Sequence, residues 1–135
     1  MQTKVLLIDD EAELAETLVR RLKIRHYTAR AAFNGSGAIA AIQEEMPDVL
    51  IVDLYLQGVL GIDLIRSIRR VHPEIVAILL TGHGSVDMER WVSNGEIFDF
   101  VMKPVDIQKL LDTIDRAKKE HDERCRQRGV GHGSR

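Results

Sequence analysis

Polar side chains that phosphate chemistry can use follow four short apolar runs of this chain. The run KVLLI leads into Asp9 and Asp10, DVLIV into Asp53, IVAILL into Thr81, and IFDFVM into Lys103. Helix-like stretches separate these runs, which are short and rich in β-branched residues, as buried strands are. The order predicts one site, built where neighbouring parallel strands end.

The residue types at these strand ends suit phosphoryl transfer. Three carboxylates in one pocket repel each other, and a divalent cation removes that penalty; an all-oxygen ligand set favours Mg²⁺. Lys103 brings a compact positive charge on a long stem, and Thr81 brings a hydroxyl donor. Because phosphoryl transfer needs mainly positioning and charge neutralisation, we expect Asp53, at the end of the central strand, to be the nucleophile.

Size and charge exclude several other classes of protein. The 135 residues fit one domain with a real core, and the formal net charge of −2 argues against nucleic acid or an anionic membrane as the main partner. A single cysteine, Cys125, cannot form an internal disulfide, and the five-residue apolar run at the N-terminus is too short for a signal peptide or a membrane span. We therefore expect a cytoplasmic protein.

Five strand–helix units in strict alternation predict an α/β fold. The expected architecture is a doubly wound, five-stranded parallel sheet of order 2-1-3-4-5, flavodoxin-like, with helices on both faces. In that order the four strands that end in polar residues are contiguous, and the second strand lies at the edge. The predicted strands are Val5–Ile8, Tyr27–Ala32, Asp48–Val52, Ile75–Leu80 and Ile97–Met102.

Several local features of the helices and loops are predicted from cap residues and apolar spacing. Asp10 with Glu13 forms a capping-box pattern for the first helix, and Asn34 opens the second. Gln57–Gly61 is expected to be a loop, Gly95 to end the fourth helix, and Asp106 to begin the fifth. The inward-facing residues are expected to include Ile39, Ile42, Met46, Leu64, Ile65, Ile68 and Val71.

The ordered set of motifs resembles the receiver domain of the two-component response regulators. The resemblance covers about Lys4 to Glu120. A pair of aspartates alone would be weak evidence for this family, but the complete ordered set of motifs is specific. Its motifs are Asp9-Asp10, the segment from Asp53-Leu54-Tyr55-Leu56 to Gly61, Leu80-Thr81-Gly82, and Phe98-Asp99-Phe100-Val101-Met102-Lys103-Pro104.

The resemblance implies roles for the residues at the strand ends. Asp53 would accept a phosphoryl group from the phosphohistidine of a sensor histidine kinase or a histidine phosphotransfer protein. Asp10, Asp53 and the backbone carbonyl of Tyr55 would bind Mg²⁺, with Asp9 acting largely through water, and a cis Lys103-Pro104 peptide would aim the lysine inward. Such a domain catalyses only its own phosphorylation and dephosphorylation, and no organic cofactor is expected.

Signal output is implied by the same resemblance. Thr81 would move towards the phosphoryl group while Phe100 turns inward behind it. The face formed by the fourth helix, fifth strand and fifth helix would then engage an output domain, a target protein or a second copy of the chain, with no direct contact to nucleic acid or membrane.

Some positions depart from the family pattern. Gln57 replaces a frequent proline, and Gly95 precedes the usual glycine position, which holds Glu96. Tyr55 and His83 flank the path of attacking water, and the hypothesis is that this bulky pair lengthens the lifetime of the phosphoryl group.

Two other functions and one boundary complete the predictions. A phosphorylation-independent, receiver-like scaffold is the main alternative; a haloacid-dehalogenase-like phosphatase would need an aspartate at position 55, where this chain has Tyr55.

The receiver domain is expected to span 1–122, and the basic, glycine-rich segment 123–135 to be a flexible tail or truncated linker. Trp91 is expected to pack, and His26, His72, His121 and His132 to lie at the surface.

Overall fold

A computed structural model describes residues 2–82 and 86–130 of the chain. All neighbouring strands of its central sheet are parallel, in the order β2-β1-β3-β6-β7. A separate two-stranded antiparallel hairpin, β4–β5, follows β3. The predicted doubly wound fold is confirmed. The strands are β1 (Lys4–Ile8), β2 (Thr28–Ala32), β3 (Val49–Asp53), β4 (Tyr55–Leu56), β5 (Val59–Leu60), β6 (Val76–Thr81) and β7 (Asp99–Met102).

Five helices cover the two faces of the sheet. They are α1 (Ala12–Ile24), α2 (Gly35–Glu44), α3 (Gly61–Val71), α4 (Val86–Ser93) and α5 (Ile107–Val130). One apolar cluster lies between the sheet and α2, α3 and α4, and a second lies between the sheet and α1 and α5. Within the described residues, no helix is both long and apolar enough to cross a membrane.

The middle strand β3 shows why an apolar run becomes a strand here. Leu50 and Val52 point into the first cluster and Val49 and Ile51 into the second, so all four are fully buried. A strand covered on both faces needs apolar residues at every position. Each such side chain contributes about 1.5–3 kcal/mol on burial, which fixes the strand whose last residue is Asp53.

The start of α1 differs from the prediction. Glu11, not Asp10, occupies the N-cap position and makes no side-chain cap hydrogen bond, so the capping box of Asp10 and Glu13 was wrong. Asp9 Oδ1 instead accepts a hydrogen bond from the N–H of Glu11, the residue just before the helix, at 3.0 Å. At α2 the prediction is confirmed, since Asn34 Oδ1 accepts from the Gly37 N–H at 2.7 Å.

Three residues expected to face inward are exposed: Ile39, Met46 and Val71. The buried stripe of α2 follows Ala38 and Ile42, and Ile39 lies about 100° further round the helix than Ala38. Met46 follows the end of α2, and Val71 is the last residue of α3. The segment predicted as a loop at 57–61 contains strand β5, and Gly61 begins α3.

The last helix is longer than the sequence suggested. His121 was expected at the surface, but it is buried, with Nδ1 3.6 Å from Asp48 Oδ1. Further along, Arg124 donates a hydrogen bond from Nη1 to the carbonyl of Ile75 at 3.2 Å. The boundary predicted after residue 122 lies inside α5, and the part of the predicted tail that the structure describes, 123–130, is helical.

Candidate functional site

Three carboxylates meet at the carboxyl edge of the sheet. Asp9 and Asp10 follow β1, and Asp53 ends the adjacent parallel strand β3, so chain direction alone brings them together. One ligand oxygen from each lies within 4.8 Å of the others. Asp9 is fully buried, Asp53 is 8% exposed, and Asp10 is half-buried. The three aspartates therefore converge as predicted.

The pocket disfavours negative charge on Asp53. Burial raises the pKa of this carboxyl above its ordinary value, and the Asp9 carboxylate raises it further. The Lys103 ammonium acts in the opposite direction but does not cancel the other two effects. A bound cation would relieve this cost, because it favours the ionised form of each carboxylate.

Lys103 follows β7, the edge strand that β6 separates from β3, and its side chain reaches back to the carboxylates. Its backbone N–H donates to the Thr81 carbonyl at 2.8 Å, which extends the pairing of β7 with β6. Its Nζ lies 3.3 Å from both Asp9 Oδ2 and Asp53 Oδ1. Burial lowers the pKa of Lys103, but the Asp9 and Asp53 carboxylates outweigh burial and raise it overall. The cis peptide predicted between Lys103 and Pro104 is present.

Thr81 and Phe100 lie on neighbouring strands. Thr81 is the last residue of β6 and is buried, and its register partner on β7 is Met102. Phe100 pairs with Leu79 and is half-buried against the apolar cluster beneath α2, α3 and α4. Thr81 and Phe100 therefore lie on adjacent strands, two positions apart in register.

The hairpin that follows Asp53 forms one side of the pocket mouth. Tyr55, the first residue of this hairpin, is 66% exposed. Asp10, Phe33, Leu56 and Gln57 line a cleft of about 330 Å³ beside the carboxylates. His83, predicted to flank the pocket together with Tyr55, lies outside the described residues.

One residue of the pocket was not predicted. Glu11 Oε1 lies 3.5 Å from Lys103 Nζ, so the single ammonium faces three carboxylates: Glu11, Asp9 and Asp53. An acidic residue directly after the Asp9-Asp10 pair was the available signal. Because Glu11 is exposed, its attraction to Lys103 is screened by water.

The donor set suits Mg²⁺. Asp9, Asp10 and Asp53 supply only oxygen ligands, and Mg²⁺ prefers one or two carboxylates together with water and phosphoryl oxygens. The half-buried position of Asp10 beside an open cleft leaves room for such waters. The residues present therefore fit this cation.

The fold and the site together define a class of α/β domains. Their doubly wound parallel sheet carries an acidic pocket and an inward-pointing lysine at its carboxyl edge. Such a pocket is suited to hold a cation beside an anionic group. The profile of the response regulator receiver domain family matches residues 5–115. The chain therefore belongs to the receiver domains of two-component response regulators, as the resemblance implied.

Full-length regulators are among the relatives. The nitrogen assimilation regulatory protein NtrX of Azorhizobium caulinodans is 30% identical over 119 residues, which cover 87% of this chain and 26% of that protein. The DNA-binding transcriptional regulator NtrC of Salmonella typhimurium is 29% identical over 93% of this chain and 27% of its own length. The chain thus spans about a quarter of the curated relatives it matches.

Solved structures share the fold over almost the whole chain. A crystal structure described as adenylate cyclase from Rhodopirellula baltica has a TM-score of 0.87 at 26% identity, covering 96% of this chain and 97% of that one. NtrX from Brucella abortus in complex with ATP has a TM-score of 0.86 at 26% identity, covering 96% of this chain and 30% of that one.

Proposed function

We propose that this receiver domain is a phosphorylation-controlled switch in which Asp53 is the phosphoacceptor. A sensor histidine kinase or a histidine phosphotransfer protein, acting in the cytoplasm, would present a phosphohistidine at the cleft beside Asp10. The Asp53 carboxylate attacks phosphorus, the bond from phosphorus to the histidine nitrogen breaks, and an acyl phosphate forms. The domain promotes only its own phosphorylation and dephosphorylation.

Each neighbour of Asp53 has a proposed task. Asp10, Asp53 and the Tyr55 carbonyl would hold Mg²⁺, with Asp9 acting largely through water. Bound there, the cation would neutralise the carboxylates and draw in phosphoryl oxygens. The engagement of Asp9 with the Glu11 N–H and with Lys103 supports its indirect role.

Lys103 and Thr81 would hold the phosphoryl group after transfer. Lys103 is already in the pocket, with its Nζ 3.3 Å from Asp53 Oδ1. An ammonium at that place can replace its contact with a carboxylate oxygen by a contact with a phosphoryl oxygen. Thr81 would turn its hydroxyl towards the same group, and Phe100 would turn inward. The altered face, formed by α4, β7 and α5, would engage an output domain, a target protein or a second copy.

One observation carries the proposal: the Lys103 ammonium lies between Asp9 and Asp53 in an acidic pocket where the pKa of Asp53 is raised by burial. The test is incubation with acetyl phosphate, with Mg²⁺ or with EDTA, followed by intact-mass measurement. We expect a Mg²⁺-dependent gain of one phosphate, absent from the Asp53→Asn variant.

Other outcomes of that experiment identify the alternatives. No adduct under any condition would contradict the proposal and favour a scaffold that works without phosphorylation. Steady release of phosphate from small phosphoesters, without an accumulating adduct, would favour a phosphatase with an aspartate nucleophile.

A further inference from the structure

The outer edge of β2 is open. Within the described residues β2 is an edge strand of the sheet, and only β1 pairs with it. The Ala32 carbonyl accepts a hydrogen bond from the Asp9 N–H at 3.1 Å, and the Thr28 N–H also donates towards the β1 side of the strand. Because backbone groups alternate between the two sides of a strand in a parallel sheet, those of Ala29 and Ala31 face outwards.

A groove runs along each face of this edge, because most side chains of β2 are small. Ala29 and Ala31 lie on the face covered by α1, and the groove between β2 and α1 has a volume of about 640 Å³. Ala32 lies on the opposite face, where the groove between β2 and α2 has a volume of about 590 Å³. Phe33 lines both grooves and is 39% exposed. An added strand therefore finds room for its side chains on both faces.

The one charged side chain of β2 is bound at the end of a helix. Edge strands are commonly protected by a charged side chain that makes an added strand unfavourable. Arg30 is the only charged residue of β2. Its Nη1 donates to the Ala41 carbonyl at 2.9 Å and its Nη2 to the Glu45 carbonyl at 2.7 Å. The charge of Arg30 therefore serves the C-terminal end of α2 rather than the protection of the edge.

The two grooves differ in charge. Arg20 and Lys23 line the groove beside α1, both are exposed, and neither forms an ion pair with another described residue. Glu16 is the only acidic residue that lines this groove, so basic side chains are in excess there. The groove beside α2 is lined largely by small apolar side chains such as Ala40 and Ala41. One face of the edge thus favours acidic side chains, and the other favours apolar ones.

A second copy of the chain is a poor occupant of this edge. In the antiparallel register that joins the outward-facing Ala29 of each copy to Ala31 of the other, the two copies of Arg30 lie opposite each other. The same arrangement brings both basic grooves to one face of the joined sheet, so that Arg20 and Lys23 meet like charges. Like charges set opposite each other across two strands are destabilising. A chain of different composition is therefore the better partner.

We propose that the outer edge of β2 docks an extended segment of a partner protein in which acidic and apolar residues alternate. The segment pairs its backbone with Ala29 and Ala31 and extends the sheet by one strand. Because side chains alternate between the two faces of a strand, the acidic ones enter the groove beside Arg20 and Lys23, and the apolar ones enter the groove beside α2. The site uses neither Asp53 nor the face formed by α4, β7 and α5, so it stands apart from the proposed phosphorylation.

The probe is a peptide of alternating glutamate and valine with blocked ends, about nine residues long. A lysine–valine peptide of the same length is its control. Titration of the isotope-labelled full chain, followed by NMR, measures the affinity and the exchange of each backbone N–H. We expect the acidic peptide to bind about tenfold more tightly than the basic one, and to slow exchange of the Ala29 and Ala31 N–H groups about fivefold or more. Equal binding of the two peptides, no binding, or slower exchange confined to other residues would overturn the inference.

Variants separate the backbone contact from the charge. Ala31→Pro removes an outward N–H, which an edge strand tolerates, and is expected to weaken binding about tenfold while the strand keeps its hydrogen bonds to β1. Arg20→Glu with Lys23→Glu changes only exposed positions and is expected to reverse the preference in favour of the lysine–valine peptide. Arg21→Glu with Arg70→Glu is the matched control, because both arginines are exposed, lie outside the two grooves, and change the net charge equally.

The outcomes are separate from those of the phosphorylation test. Parental binding in Ala31→Pro, or a preference for glutamate that survives charge reversal, makes the docking site wrong and leaves the phosphoacceptor role untouched. The Asp53→Asn variant is expected to bind the acidic peptide as tightly as the parent does, and a loss of binding in that variant would also contradict the inference.

Discussion

A β-carbon on residue 61 would lie 2.2 Å from the backbone carbonyl oxygen of Asp53, a distance that real β-carbons do not reach. The Gly61 N–H also donates to the carbonyl of Leu54 at 2.6 Å. The start of α3 is thus pressed against the end of β3, and a glycine at position 61 permits this approach. The backbone of the proposed phosphoacceptor is held in place by a residue that has no side chain.

Gly61→Ala is therefore expected to damage both stability and phosphorylation. The methyl group must displace the backbone of Asp53 or of α3, and overpacking of this kind costs about 1–3 kcal/mol of unfolding free energy. Chemical denaturation measures the loss, and acetyl phosphate labelling measures the slower phosphorylation. The control is Gly35→Ala, where the new β-carbon would meet only Leu64 Cδ1 at an ordinary 3.7 Å; equal effects of the two substitutions would contradict this account.

Asp53→Asn is expected to stabilise the metal-free protein at neutral pH. Burial and the Asp9 charge raise the pKa of Asp53 in the folded state, so folding favours the neutral carboxyl. The Asp53 carboxyl therefore contributes its full stabilisation at pH values below the ordinary carboxyl pKa. This stabilisation is lost as the pH rises through the raised pKa of the folded state. The stability difference between variant and parent should grow as pH rises through that range, as urea denaturation in EDTA would measure.

Magnesium should reverse that order. At a free concentration about 100 times its dissociation constant, a bound ion stabilises the folded state by about 2.7 kcal/mol. The parent gains this amount, and the Asp53→Asn variant gains less because one carboxylate ligand is gone. Equal stabilisation of both proteins by Mg²⁺ would place the ion elsewhere.

Lys103→Met tests the proposed partner of the phosphoryl group. Without the ammonium, the buried Asp9 loses a contact at 3.3 Å, which should cost about 1–3 kcal/mol of stability in EDTA. Phosphorylation should slow by about a hundredfold, as when one stabilising donor is removed from a transition state. Lys109→Met, an exposed lysine on α5, should change neither quantity; an unaltered labelling rate in Lys103→Met would remove this lysine from the mechanism.

Tyr55→Ala is expected to shorten the lifetime of the acyl phosphate. By the hypothesis, the exposed ring two residues after Asp53 narrows the path by which water reaches phosphorus, and alanine opens that path. The measurement is the decay of phosphorylated protein after the donor is removed, followed by intact mass. His83→Ala tests the second member of the pair, and parental decay in either variant would end the hypothesis.

Much of the fold could be predicted because few arrangements satisfy the sequence. Runs such as Val49–Val52 are apolar at every position, and only a parallel sheet covered on both faces buries them all. Right-handed crossovers and the strand order then place Asp9, Asp10, Asp53 and Lys103 at one edge without further information.

What could not be predicted depends on contacts between distant residues. The burial of His121 requires Asp48, 73 positions earlier in the chain, and the anchoring of Glu96 requires Arg66 from another helix. Apolar spacing along α2 and α3 also did not show where each buried stripe ends, because Ile39 and Val71 fit the spacing equally well. Periodicity finds a helix more reliably than it finds the limits of the face that packs.

The central claim is that Asp53, and no other residue, carries the phosphoryl group. The most direct test is to phosphorylate the protein with phosphoramidate and Mg²⁺, reduce the acyl phosphate with borohydride, and map the peptides by mass spectrometry. We predict that reduction converts residue 53 alone to homoserine, and that the Asp53→Asn variant shows no conversion. Homoserine at another aspartate of the parent, or a phosphate that survives borohydride on a different side chain, would contradict the account.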